Sequence, residues 1–304
     1  MAQHERDRIQ RFIEPLRVAP GSRVRLPRDF DPGYSHPDVT KEEAPALLAE
    51  GIAQLAELQD RLYSQDTYGV LFVLQAMDAA GKDGMIKHVM SGINPQGVSV
   101  TSFKGPSAEE RDHTYLWRVQ KAVPARGMIG LFNRSHYEDV LVVRVHPEYL
   151  EGAQLPPSAL EGDIWKRRYR EINDFERHLV DNGIKVVKVF LNVSREEQRE
   201  RFIARIDDPA KNWKFSAADV AERLHWDAYQ EAFADMLSAT STEHAPWYVV
   251  PADKKWFARL CGAAILAHAL LEIDPKYPTL APDELARLTA AKEQLLAEGT
   301  RAQG

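Results

Sequence analysis

Short apolar runs alternate along this chain with longer stretches in which apolar positions recur every three or four residues. The runs are Val70–Leu74, Val98–Phe103, Gly127–Asn133, Lys185–Val193 and Trp247–Ala252. Each is built from residues such as Val, Ile and Phe and has the length of a strand. Helical spacing is expected from the glycine loop after the first run to about Ser91, over 109–123, over 163–183, and over 254–273 after the last run. Upstream, Thr40 and Glu43 have capping-box spacing at the head of an amphipathic stretch that reaches Gln65. Strands that alternate with helices in this way predict an α/β fold, a mostly parallel sheet covered by helices on both faces.

The remaining segments set expected boundaries. Residues 1 to about 40 are rich in Pro, Arg and Asp and read as an extended arm, with the helix to residue 60 packed on the core. A main domain follows over 61–278, and 279–304 forms a surface helix that frays.

Composition narrows the class. The 304 residues are 44% hydrophobic and 28% charged, enough for one large core. A net charge of -6 opposes general nucleic-acid binding, although local basic patches are present. The single cysteine, Cys261, excludes an internal disulfide and favours a cytoplasmic setting. The charged N-terminus lacks a signal-peptide core. The apolar stretch 256–273 contains Arg259 and His268 and falls short of a membrane span. The sequence shows no nucleophile elbow, no H-E-x-x-H and no cysteine pair.

Candidate chemistry begins in "AMDAAGKDG", Ala76–Gly84. A Walker A loop reads G-x-x-x-x-G-K-[ST], but Ala76 replaces its first glycine and Asp83 its hydroxyl residue. A bare Gly–Lys pair also suits an ordinary tight turn. The preceding strand and following helix favour phosphate binding, with the amides around Ala79, Ala80, Gly81, Asp83 and Gly84 facing an anion and Lys82 adding charge. Asp78 is the better-placed carboxylate for a metal, or else a turn aspartate. At the end of the third run stand Asn133, Arg134, Tyr137, Glu138 and Asp139. Arg134 suits a phosphate clamp and Asp139 a Mg²⁺ site shared with Asp78, while an Arg134–Asp139 ion pair is an equal alternative. Tyr137 either stacks on a base or packs. Ser194 and Glu197 head a helix carrying Arg201 and Arg205 on one side, and Lys211 and Lys214 follow Pro209. Together these suggest a basic lid over 195–225, of the kind that neutralises charge in phosphoryl transfer.

Five segments, "AMDAAGKDG", "SFKGPSAEERDHTYLWR", "GLFNRSHYEDVLVVRVH", "WKRRYREINDFE" and "RIDDPAKNWKFSAAD", resemble the type-2 polyphosphate kinase family, and "PADKKWFAR" fits as well. The resemblance spans roughly 60–278. It implies a three-layer α/β/α P-loop kinase fold with a helical lid, and reversible phosphoryl transfer between inorganic polyphosphate and nucleotides (ADP, AMP, GDP, ATP). It implies Mg²⁺, with Mn²⁺ as a substitute, held by Asp78 and Asp139. Lys82 and Arg134 become catalytic, and Arg118, Lys121, Arg167, Arg168, Arg201, Arg205, Lys211 and Lys214 polyphosphate contacts. No nucleic-acid or membrane partner is implied, and the resemblance suggests a homodimer or homotetramer. Two other functions share the fold: a conventional ATP-dependent kinase, and a nucleotide-binding module without turnover.

Overall fold

The computed structural model describes residues 2–214 and 216–301. Five strands, β1 (Gly69–Ala76), β2 (Val98–Ser102), β3 (Ile129–Asn133), β4 (Ile184–Asn192) and β5 (Trp247–Pro251), form one sheet. Its order is β2-β3-β1-β4-β5, with every neighbouring pair parallel. β1 lies at the centre and all eight of its residues are buried, which explains a run that is apolar without alternation. After β1 the chain crosses to β2 on one side, and after β4 it continues to β5 on the other. The carboxyl ends of β1 and β4 therefore flank the crevice where α/β sheets bind ligands.

Helices of eight residues or more are α1 (Ala2–Ile13), α2 (Ala44–Gln65), α3 (Lys82–Val89), α4 (Ile164–Asp181), α5 (Arg195–Asp207), α6 (Trp226–Thr240), α7 (Lys255–Ile273) and α8 (Pro282–Arg301). α7 packs on β4, β5, α2, α3 and α1 to cover one face, and α4 and α6 cover the other. α7 is apolar and long enough to cross a membrane, but its residues from Phe257 to Leu271 are almost all buried in the core. Gly262 permits its close contact with α3, because a Cβ there would meet Met85 Sδ at 2.8 Å.

Two expected elements differ. The first residues are not extended: α1 is a helix whose Ile9, Phe12 and Ile13, at helical spacing, pack on the core, with Phe12 edge-on to Phe257 at 5.8 Å. The abundance of arginine and acid around them masks this stripe in composition. The arm proper follows, joining the edge of β5 where Val18 N–H donates to Trp247 O. The helix expected over 109–123 is two short ones, Ala108–Arg111 and Trp117–Ala122. Ser107 caps the first through a full capping box.

A polar cluster lies wholly buried between β4, α4 and α6. Lys188 Nζ donates to Glu176 Oε2 at 2.6 Å, to Thr240 O at 2.6 Å and to Tyr137 Oη at 3.0 Å. Tyr137 in turn donates to Glu176 Oε1 at 2.7 Å. Glu176 is held below the usual carboxylate range: burial opposes ionisation, and the lysine and His136 outweigh it.

Candidate active site

The loop from Met77 to Gly81 leaves β1 at the crevice and opens α3. Its backbone carbonyls are all taken up by the protein. Lys82 Nζ donates to Ala76 O at 2.9 Å and Met77 O at 3.3 Å. Gln198 on α5 donates to Asp78 O at 2.9 Å. Arg201, also on α5, donates to Ala79 O at 3.0 Å and Ala80 O at 2.7 Å. Ala79 and Gly81 have left-handed backbones, φ +61° and +116°; glycine adopts this freely, alanine does not. Lys82 is buried, and that burial lowers its pKa against the opposing pull of Asp78.

β3 delivers the second set of groups. Asn133 Nδ2 donates to Asp83 Oδ1 at 3.0 Å, so Asp83 is engaged beside the loop and not merely exposed. Arg134, at φ +64°, places Nη2 2.7 Å from Asp78 Oδ1 and Nη1 3.3 Å from Glu138 Oε2. Burial works against its charge, but Glu138 and Asp78 together hold its pKa above the ordinary value. Burial raises the pKa of Glu138 although Arg134 opposes the shift.

Around these groups lies an open cavity of about 860 Å³ that runs along the carboxyl edge of the sheet. Asp78, Lys82, Asn133 and Arg134 line it, together with Ala79, Ala80, Gly81, Asp83 and Gly84. From the segment after β4 come Arg205, Lys211, Trp213 and Asp219. A smaller cavity of about 190 Å³ shares Asp78 and Arg134 as a wall and adds Glu138, His146, Tyr149 and Tyr229.

Several expected contacts lie elsewhere. Tyr137 is fully buried in the Lys188–Glu176 cluster, its ring edge-on against Trp247 at 4.8 Å, and it lines neither of these cavities. Asp139 lines neither cavity that contains Asp78; its carbonyl accepts from Arg168 at 2.5 Å, and burial raises its pKa. Asp78 and Asp139 therefore do not share the wall of either cavity. Arg168 is itself buried against Tyr115 and Trp165. Arg118 caps Lys104 O at 2.7 Å and lies over Phe103. Arg167 bonds the carbonyl of Ala159, and Lys121 stacks over Trp117. These four basic residues tie local segments together outside the large cavity. Arg201 lies at its wall, but its guanidinium faces main-chain carbonyls. The side chain of Lys214 lies outside the described residues.

The cavity also holds basic residues outside the sequence-predicted site. Lys104 follows β2, and Lys255 and Arg259 open α7 after β5. Their position after strand ends, where such sheets bind ligands, was the available signal.

Among the described residues no group of three or more His, Cys, Asp or Glu is arranged to hold a metal. Asp78 and Asp219 both line the large cavity, and burial and then the charge of Asp78 raise the pKa of Asp219. One or two carboxylates completed by phosphate oxygens and water are what Mg²⁺ takes.

The family model described as Polyphosphate kinase 2 (PPK2) matches residues 38–278. A protein of Rhodopseudomonas palustris named ADP-polyphosphate phosphotransferase is 48% identical over 285 residues, 92% of this chain and 97% of that protein. One of Meiothermus ruber named AMP/ADP-polyphosphate phosphotransferase is 45% identical over 267 residues, 88% of this chain and 96% of that protein. The crystal structure of polyphosphate kinase 2 from Arthrobacter aurescens is similar with a TM-score of 0.82 and 45% identity, covering 94% of this chain and 96% of that one.

Proposed function

The chain belongs to the polyphosphate kinase 2 family, and on that basis we infer that it transfers a terminal phosphoryl group between inorganic polyphosphate and a nucleotide. The observation that carries the reading is the Asp78–Arg134 pair set in the wall of a large cavity lined by Lys104, Arg205, Lys211, Lys255 and Arg259. A polyanion needs such a lining, and a chain of net charge -6 concentrates these cations here.

Two phosphate chains must meet end to end, so the chemistry is positioning and charge neutralisation without a covalent intermediate. Lys82 and the amides of the first turn of α3 draw phosphate oxygens into the loop. Arg134 bridges toward the transferring group once Asp78 is engaged, and Arg205 and Lys211 close over the donor chain from the lid. Asp78, with substrate oxygens, would hold a divalent ion, Mg²⁺ or in its place Mn²⁺, whose chemistry there would be charge neutralisation. We take AMP, ADP and GDP as acceptors, with ATP as donor in the reverse direction. The free, buried Cys261 suits a cytoplasmic location, and a homodimer or homotetramer is the assembly to test by sedimentation.

The deciding experiment incubates the purified protein with long-chain polyphosphate and Mg²⁺, with AMP, ADP or GDP supplied separately, and resolves the nucleotides by chromatography. The expected result is the next phosphorylation level from at least one acceptor. Turnover only from ATP with a small-molecule acceptor would overturn the reading.

A further inference from the structure

The guanidinium of Arg201 has five N–H donors and uses them on the protein. Besides Ala79 O and Ala80 O, Nη2 donates to Ala252 O at 2.5 Å and Asp253 O at 3.2 Å, and Nε donates to Glu197 Oε1 at 2.7 Å. The residue is 6% exposed. It thus sits over the end of β4 and fastens α5 to two neighbouring loops, one after β1 and one after β5. A lysine in its place could not span both, having one compact ammonium.

Two features make this more than a brace. In a planar trans peptide the N–H points opposite to the C=O. Capture of Ala80 O therefore turns the Gly81 N–H away from Arg201. In the same loop Ala79 is a non-glycine residue held in the left-handed region at φ +61°, a conformation that persists only where its surroundings impose it. The side chain that grips the Ala79 and Ala80 carbonyls is Arg201.

We propose that Arg201 is a positioning residue of the phosphate loop: it holds Ala79–Gly81 in the phosphate-receiving conformation before substrate arrives. It touches no substrate itself, in contrast to Arg205 one turn further along α5. The proposal rests on the phosphoryl-transfer reading above.

The test compares Arg201→Ala and Arg201→Lys with the wild type, each also in an Ala79→Gly background, at a temperature below all their unfolding midpoints. The expected result is a loss in kcat of about a hundredfold for Arg201→Ala. Arg201→Lys, which retains the charge, should also lose activity. Guanidinium ion, well below denaturing concentration, should restore part of the Arg201→Ala activity and add nothing to the wild type. With glycine's freer backbone at position 79, the Arg201→Ala loss should shrink about fivefold. Wild-type kcat in Arg201→Ala, or losses that multiply independently of position 79 with no guanidinium rescue, would overturn the proposal. If the wild type transfers nothing from polyphosphate, the functional reading fails instead. The same set is then read by calorimetric binding of tripolyphosphate, in which the same pattern of loss, rescue and coupling is expected in Kd.

Discussion

Arg134 grips Asp78 across 2.7 Å and ties the end of β3 to the loop after β1. Its other nitrogen reaches Glu138, so one guanidinium is shared by two carboxylates at the wall between two cavities. A cation that binds Asp78, or a phosphate that binds Arg134, must compete with this pair, which links occupancy of the two groups.

Asp78→Asn removes the carboxylate that would hold the ion and leaves the amide able to keep a neutral contact with Arg134. Activity is expected to fall by about 10²- to 10³-fold, the range for loss of one preorganised electrostatic contact in a transition state. Both partners are about a third exposed, 37% and 35%, so solvent screening limits the stability change to about 1 kcal/mol or less. Steady-state kinetics and urea unfolding on the same preparation separate the two. Comparable losses of stability and activity would show that the residue only holds the loop.

The sheet and the loop were legible because they depend on local pattern. Runs such as Val70–Leu74 and the Gly81–Lys82 step carry strand and turn signals in consecutive residues. What failed to show was the direction of individual side chains. Arg201 and Arg205 lie four apart on α5, yet one turns to carbonyls and the other lines the cavity. Asp139 adjoins Glu138 in sequence, but only Glu138 faces Arg134, because the 3-10 turn His136–Val140 sends neighbours to different sides. Tyr137 is drawn under the sheet by Glu176, 39 residues later, a partner that no local pattern reveals. Lys255 opens the long helix after β5 and belongs to the cavity only because β5 ends beside β4.

Lys255 and Arg259 are expected to hold the donor chain away from the reacting phosphate. Both line the large cavity, and Lys255 carries a pKa lowered by burial and then by the neighbouring charges of Arg201 and Arg259. Replacing both with alanine should raise KM for long polyphosphate several-fold. The acceptor nucleotide's KM should change little. Because the contact is largely electrostatic, the difference from wild type should narrow as salt is raised from about 0.05 M to 0.5 M. An equal rise in both KM values would place these residues at a site shared by the substrates.

Lys188→Met leaves Glu176 buried without its cation, and Glu176, Lys188 and Tyr137 are each fully inaccessible. Breaking one side of such a pair costs about 3–5 kcal/mol. The urea midpoint should drop sharply, while activity per folded molecule is retained because the cluster lies away from the cavity. Adding Glu176→Gln should recover part of the loss by removing the orphaned charge. A double variant less stable than Lys188→Met would mean that the two side chains contribute through packing and not as an ion pair.

Lys82 should govern the alkaline side of the pH profile, and the direction follows from its surroundings. Burial lowers its pKa from the ordinary 10.5, more than Asp78 restores it, so in the free enzyme the ammonium is lost at a lower pH than for an ordinary lysine. Since kcat/KM reports the free enzyme, it should fall as pH rises through that lowered value. Bound phosphate favours the charged form and raises the pKa again, so the corresponding fall in kcat should lie at higher pH. Lys82→Arg, whose guanidinium does not titrate in this range, should be less active but should lack this limb in kcat/KM. Profiles measured with saturating and limiting polyphosphate distinguish the cases. An alkaline limb that persists in Lys82→Arg would assign the titration to another group.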